Sequence, residues 1–416
     1  MNWNKLTSDC KTPFYVFDLD RFQSDFEEIR RGFGPDIGLC YAMKANAFLA
    51  ECAAKQADRI EICSMGEYHI CRRNLIPPEK MYISGVLKKK EDLALQLREV
   101  GGGAIFTVES FQQYQMISDW ALEHRQTVTI FLRLSSNTQF GMDKAMIRNI
   151  MELRNENPWL ELRGIHFFTG TQKKNVKFIL KELTELDQFL TELEHDFTCK
   201  IPELEYGPGL SVDYFVDKQR SLINPAAFAQ IREAISQMHW NGHVTLEMGR
   251  AFAAHCGYYV TKVLDTKQND GRNYCITDGG IHQINYDGQI KGMYQPYLYH
   301  LKKRQMALPG PAAPDDEDVR IEALWEHTEE KLPEWTICGS LCTFNDVLCQ
   351  KAMIADLHVN DMIIFARTGA YSMTEGMALF LSHELPAVIL HRDGVPDRIV
   401  RKQQELYEWN SVSRTC

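Results

Sequence analysis

The alternation of apolar and polar positions divides the chain into two stretches of different character. Between about residue 38 and residue 249, eight short β-rich segments recur, at 38–44, 59–64, 81–85, 104–109, 128–134, 162–168, 204–207 and 243–247. The stretches between them carry helical spacing. Across 175–197, for example, Phe178, Leu180, Leu183, Leu186, Phe189, Leu190 and Leu193 recur every three or four residues, which lines one face of a helix. Strands separated by helices pair in parallel, because the helix supplies the crossover between them. Eight such units predict a closed (β/α)8 barrel of the TIM type.

Beyond about residue 255 the pattern shifts. β-rich runs at 258–264, 274–278, 334–338, 362–366 and 387–391 are separated by turn-rich stretches, which predicts a mainly antiparallel β domain. The segment 306–318, rich in Pro, Ala and Asp, reads as a surface loop. Residues 13–18 are strand-like and precede the first barrel unit. The expected division is therefore a barrel over 26–254 and a β domain built from both ends, 1–25 with 255–416.

Composition narrows the function classes. The 416 residues carry a formal net charge of −10, which argues against a nucleic-acid partner, since phosphate neutralisation needs a basic face. The runs Lys88-Lys89-Lys90 and Lys302-Lys303-Arg304 read as solvated surface. No apolar run approaches the ~18–20 residues that span a bilayer, and the polar N-terminus lacks a signal-peptide core. We expect no membrane partner and a cytoplasmic protein, in which the twelve cysteines are reduced thiols. Cys338 and Cys342 have no second pair at metal-ligand spacing, so no metal is expected.

The chemistry lies where the strands end. Lys44, Ser64, Gly85, Glu109, Arg133, the Thr169-Gly170-Thr171 turn, Gly207 and Glu247 all sit at or just after strand ends, the face on which barrels of this kind build active sites. In Tyr41-Ala42-Met43-Lys44-Ala45-Asn46 a lysine follows a buried strand, where desolvation makes its amine a nucleophile for an aldehyde. Gly164-Ile165-His166-Phe167-Phe168-Thr169-Gly170-Thr171-Gln172 and Glu205-Tyr206-Gly207-Pro208-Gly209 end in small and hydroxylated residues suited to a phosphate. Thr245-Leu246-Glu247-Met248-Gly249-Arg250 offers a carboxylate able to keep a pyridine nitrogen protonated.

In this combination and order, the chain resembles the fold type III pyridoxal-phosphate decarboxylases, the group that contains diaminopimelate and eukaryotic ornithine decarboxylases. The resemblance runs from about Thr12 to about Leu390. It also rests on Gln139-Phe140-Gly141, Asp278-Gly279-Gly280, Cys342 with Asp346, and Gly369-Ala370-Tyr371. It implies pyridoxal 5'-phosphate as cofactor and a homodimer with shared active sites. Lys44 would be the Schiff-base lysine and Glu247 the partner of the pyridine nitrogen. Thr171, Gly207, Gly209, Gly249, Arg250 and Tyr371 would surround the phosphate. Cys342, from the neighbouring subunit, would return a proton after carbon dioxide leaves.

Three departures from the pattern stand out. A family histidine that stacks on the cofactor ring falls at Phe168, while His166 matches a second one two places earlier; either residue is a candidate for the ring's neighbour. Pro208 interrupts the usual glycine triplet and removes a backbone donor. The residue after the cysteine, usually acidic and reading a distal ammonium, is Thr343, with Asp346 a possible substitute. The Cys-Thr-x-x-Asp pattern and the tail Phe380-Leu381-Ser382-His383 are similar to the biosynthetic-cluster branch, which includes a decarboxylase of glutamyl groups on an acyl-carrier protein. The implied activity is decarboxylation of an amino-acid-type substrate, free or carrier-tethered. The alternatives are an amino-acid racemase on the same barrel and a non-catalytic, decarboxylase-like regulator.

Overall fold

The first strand, β1 (Phe14–Asp18), belongs to the β unit, and the next eight make the barrel. These are β2 (Gly38–Ala42), β3 (Arg59–Ile62), β4 (Met81–Ile83), β5 (Ile105–Val108), β6 (Val128–Leu134), β7 (Leu160–Phe168), β8 (Glu203–Gly207) and β9 (His243–Met248). Each pairs in parallel with the next, and β2 closes on β9 through Gly38↔Thr245 to Tyr41↔Met248. The computed structural model describes residues 1–219, 221–302, 321–324 and 332–412. It divides into two compact units, one of Gln23–Val212 with Arg220–Phe252, the other of Met1–Phe22, Asp213–Gln219 and Ala253–Cys416.

Local chemistry sets where the strands stop. The run 38–44 leaves the sheet at Ala42, because Met43–Ala45 turns as a 3-10 helix that carries Lys44 out of the ladder. Ser64 is not a strand end but an N-cap: its side chain accepts from Glu67 N at 3.2 Å, and the Glu67 carboxylate accepts from Cys63 N at 2.6 Å. Together these bonds cap the start of the Met65–Arg73 helix. In the Val176–Phe197 helix the buried stripe is Ile179, Leu183, Leu186, Phe189, Leu190 and Leu193. Phe178, expected on that face, is 62% exposed; it lies about 100° around the helix from Ile179.

The interior of the barrel is charged as well as apolar. Arg59 of β3 reaches across to Glu205 of β8 (Nη1–Oε2 2.8 Å) and also pairs with Glu203. Its guanidinium stacks over Phe131 of β6 at 5.4 Å. Burial, with the Glu247 charge adding to it, pushes the Glu205 carboxyl up to about 7 against the pull of Arg59. Higher up, Arg133 donates to Glu109 at 2.9 Å, and Gly141 N donates to the other oxygen of Glu109 at 3.3 Å.

The β unit contains β1, β10 (Gly257–Asn269), β11 (Arg272–Thr277), β12 (Leu298–Leu301), β13 (Ile321–Ala323), β14 (Glu334–Cys338), β15 (Val347–Met353), β16 (Met362–Ala366), β17 (Ala387–His391) and β18 (Arg398–Arg401). The order is β13-β12-β16-β10-β1-β17-β18, with β11, β14 and β15 continuing from β10. Pairing is antiparallel except for β1 with β17 and β11 with β14. Its core gathers Leu6, Phe14, Val16, Val260, Leu301, Met362, Ile364, Ala387 and Ile389. Strands β12, β13, β15 and β18 were not expected from the sequence, and β10 runs past 258–264. The loop expected at 306–318 lies outside the described residues. No helix among the described residues is long and apolar enough to cross a membrane, and none of their His, Cys, Asp and Glu side chains group to hold a metal.

Candidate active site

Lys44 is aimed by its own turn. Tyr41, fully buried, donates to Asn46 O at 2.9 Å, and the Asn46 side chain accepts from Phe48 N at 3.1 Å, so the backbone on both sides of the lysine is fixed. Its ammonium stands 2.6 Å from Glu61 Oε2, 3.6 Å from Cys63 Sγ and 3.7 Å from Glu247 Oε1. Glu61 is itself held, its Oε1 accepting from Cys63 Sγ and from Ser84 Oγ, both at 2.8 Å. Burial, then the Glu61 charge, pushes the Cys63 thiol well above its usual range, so it remains a donor.

Glu247, 5% exposed on β9, stands 3.0 Å from His166 Nε2. Burial would raise its carboxyl, but Lys44, then His166 and Arg133, outweigh that and hold it below the usual carboxylate range. The His166 contact is short but poorly aligned. Both ring nitrogens of His166 and Glu247 Oε2 lack a well-formed hydrogen bond among the described residues, although a buried polar group normally has one. His166 meets Tyr82 edge-on at 5.6 Å. Two residues on, and so on the same strand face, Phe168 rests against Gly207: a Cβ at Gly207 would come within 2.3 Å of the Phe168 ring. His166 thus faces the acid, and Phe168 lies against the β8 turn.

The two turns expected around a phosphate lie side by side. Gly209 has φ +62°, and a Cβ there would sit 2.1 Å from Gly170 O. Lys173 N donates to Gly209 O at 2.8 Å. Arg250 begins the short helix after Gly249, is 8% exposed, and its Nε lies 3.4 Å from Thr171 Oγ1.

The remaining candidates lie in the β unit. Tyr371 adopts φ +64°, a left-handed conformation that costs a non-glycine residue about 1–2 kcal/mol and that clusters at functional sites. Cys342 is exposed, on the loop 339–346. Asp346, expected as a substitute reader of a distal ammonium, is 3% exposed; its oxygens accept from Ile281 N at 2.8 Å and Leu341 N at 2.7 Å. That geometry makes Asp346 the organiser of the Cys342 loop, and leaves Thr343 as the neighbour of the cysteine.

Glu61, Cys63 and Ser84 were not among the sequence candidates. A signal existed: Arg59, Glu61 and Cys63 alternate with Ile60 and Ile62, as in a half-exposed strand, but here the polar face turns inward. A part-exposed amine beside two buried carboxylates can condense with an aldehyde. The Glu247 carboxylate, held ionised and with no well-formed hydrogen bond at Oε2 among the described residues, suits a planar ring with a protonated nitrogen, and a Cβ added at Gly170 would meet nothing within 4 Å, open space beside the two turns. These residues fit pyridoxal phosphate.

Comparison with known proteins agrees. Residues 19–254 match the family described as pyridoxal-dependent decarboxylase, pyridoxal binding domain. The chain is 26% identical over 419 residues to the L-glutamyl-[BtrI acyl-carrier protein] decarboxylase of Niallia circulans, covering 95% of this chain and 92% of that protein. It is 25% identical over 410 residues to the 2-[(L-alanin-3-ylcarbamoyl)methyl]-2-hydroxybutanedioate decarboxylase of Staphylococcus aureus, covering 90% and 93%. Among solved structures, diaminopimelate decarboxylase from M. jannaschii superposes with a TM-score of 0.81 at 21% identity, covering 99% of this chain and 94% of that one. The Helicobacter pylori diaminopimelate decarboxylase complexed with L-lysine gives 0.79 at 21%, covering 98% of each. The fold, the lysine set between two carboxylates and the sequence match lead to one conclusion: the chain belongs to the pyridoxal-dependent decarboxylase family.

Proposed function

We propose that this protein removes the α-carboxylate of an amino-acid-type substrate whose far end carries no free ammonium, in a biosynthetic pathway. The observation that carries the reading is the Lys44 ammonium held between Glu61 and Glu247 at the mouth of the barrel. Bound coenzyme supplies an aldehyde and a conjugated ring that accepts the electron pair released with carbon dioxide. Lys44 would provide the amine that holds the coenzyme through its aldehyde. Glu61 keeps that amine over the barrel interior. Glu247, held ionised with His166 beside it, would be the partner of the ring nitrogen. Thr171, Gly207, Gly209, Gly249, Arg250 and Tyr371 hold the phosphate. In a homodimer with shared sites, Cys342 of a second copy delivers the proton to Cα, and its exposure on a braced loop suits that role.

Substrate choice follows from charge. Thr343 has no carboxylate, and Asp346 is buried, 3% exposed, with each oxygen accepting from a backbone amide. A distal ammonium would therefore be left unpaired in a closed site, at a cost of about 1–3 kcal/mol or more. An aminoacyl group joined to a carrier through its side-chain carboxyl avoids that cost, and the Niallia relative is named for such a substrate. The test is to load purified protein with pyridoxal phosphate and measure carbon dioxide release and racemisation. The panel comprises free L- and D-amino acids and a glutamyl-loaded acyl-carrier protein. We expect release from the carrier-bound group and little from lysine, ornithine or diaminopimelate. Brisk turnover of those diamino acids would refute the substrate reading; racemisation without carbon dioxide would refute the reaction.

A further inference from the structure

Glu182 lies on the Val176–Phe197 helix, outside the groups assigned above, yet three donors converge on its carboxylate. Thr169 Oγ1 donates to Oε1 at 2.6 Å, while Lys173 Nζ and Tyr206 OH donate to Oε2 at 2.5 and 2.6 Å. Thr169 and Lys173 bracket the Gly170-Thr171-Gln172 turn. Tyr206 directly precedes Gly207-Pro208-Gly209. One carboxylate, 15% exposed, therefore ties together the two turns that face each other at Gly170 and Gly209. Gln172 adds a second tie, accepting from Val212 N at 2.8 Å and donating to Val212 O at 3.3 Å.

The latch matters because of Pro208. Proline has no N–H, so the β8 turn offers one backbone donor fewer to an anion, and the remaining donors must be correctly placed before the anion arrives. Hydrogen bonds to an ionised acceptor are roughly twice as strong as neutral ones, and three on one carboxylate fix the spacing of the turns without touching the ligand.

We propose that Glu182 is a positioning residue for the coenzyme phosphate, latching the turn after β7 to the turn after β8. The inference rests on the reading that these turns hold the phosphate. It is tested with apoprotein of the wild type, Glu182→Ala and Tyr206→Phe, each titrated with pyridoxal 5'-phosphate and with unphosphorylated pyridoxal. Binding is followed by the absorbance of the lysine-linked chromophore, with thermal melting alongside. Glu182→Ala should lose roughly tenfold or more in affinity for the phosphorylated form, and less than about threefold for pyridoxal. Tyr206→Phe, which removes one donor and keeps the ion pair, should move the same way by a smaller factor. Equal losses for both ligands, or no loss, overturn the proposal. If Glu182→Ala does not fold, Tyr206→Phe and Thr169→Val decide by the same criterion. Wild-type protein indifferent to the phosphate group would remove the underlying reading as well, a result distinct from failure of the variants alone.

Discussion

Replacing Gly209 with alanine tests the phosphate turn most directly, because two separate penalties can be worked out and told apart. The first is conformational: φ is +62°, and holding an L-residue there costs about 1–2 kcal/mol. The second is steric. The new Cβ would lie 2.1 Å from Gly170 O, where ordinary contact begins at 3.4 Å, and the obstacle is backbone, which cannot rotate aside. The facing turn must retreat by more than an ångström, and each hydrogen bond to the charged phosphate lost in doing so costs about 1.5–3 kcal/mol. Gly34→Ala is the control: φ is +86° with nothing within 4 Å, so it carries the first penalty without the second. Both variants should melt earlier than wild type, but only Gly209→Ala should lose affinity for pyridoxal phosphate, by roughly ten- to a hundredfold, in an absorbance titration of apoprotein. Equal affinities for the two variants would show that the close approach of Gly170 and Gly209 has nothing to do with coenzyme binding.

Four other outcomes are expected. Lys44→Ala should fold, fail to develop the absorbance of lysine-linked coenzyme, and release no carbon dioxide; a normal absorbance band would place the attachment elsewhere. Cys342→Ala should still release carbon dioxide but give an altered product, because Cα is protonated from another source; an unchanged product profile counts against the thiol as donor. Asp346→Ala strips two buried amides, Ile281 N and Leu341 N, of their acceptor. It should cost about 1–3 kcal/mol per orphaned group, seen in denaturant melts, while coenzyme still binds; unchanged stability would contradict the loop-organising role. Glu205 contributes a pH dependence of its own. Its folded value of about 7 lies above the ordinary 4.5, so its contribution is fully present below about pH 4.5 and is lost as pH rises through 7, a swing of about 3 kcal/mol. Glu205→Gln cannot ionise, and its stability should fall less between about pH 5 and pH 8; parallel pH profiles for variant and wild type would sink this account.

The barrel was legible in the sequence because its two periods are unambiguous: short β-rich runs mark strands buried on both faces, and three-four spacing marks the helices outside them. Lys44 and Glu247 stood out by position as polar residues closing apolar strands, and the family resemblance gave them their roles. Glu61 and Cys63 did not stand out. In an isolated strand the alternation Arg59-Ile60-Glu61-Ile62-Cys63 points the charges to solvent, and only closure of the barrel turns that face inward. Asp346 could be located but not oriented, since nothing local says that Ile281 and Leu341 will offer it their amides. Strand β15 escaped notice because Gln350 and Lys351 are exposed in the middle of Val347–Met353, which breaks a two-residue alternation. Phe178 misled for a simpler reason: it lies one residue from the true stripe.

The parallel pairing of β1 with β17, Phe14 against Ala387 through Asp18 against His391, has a consequence for biosynthesis. A ribosome adds ~5–20 residues per second, so the strand Phe14–Asp18 emerges tens of seconds before its parallel partner exists. The barrel's last strand is complete long before then. A nascent chain therefore spends much of its synthesis with a finished barrel and a sticky, wholly apolar Phe-Tyr-Val-Phe ribbon, docked on one side once Gly257–Val260 appears and bare on the other. Interrupting translation in that window, or clipping off the final strands, should yield a species prone to pair with other unfinished chains along that open edge.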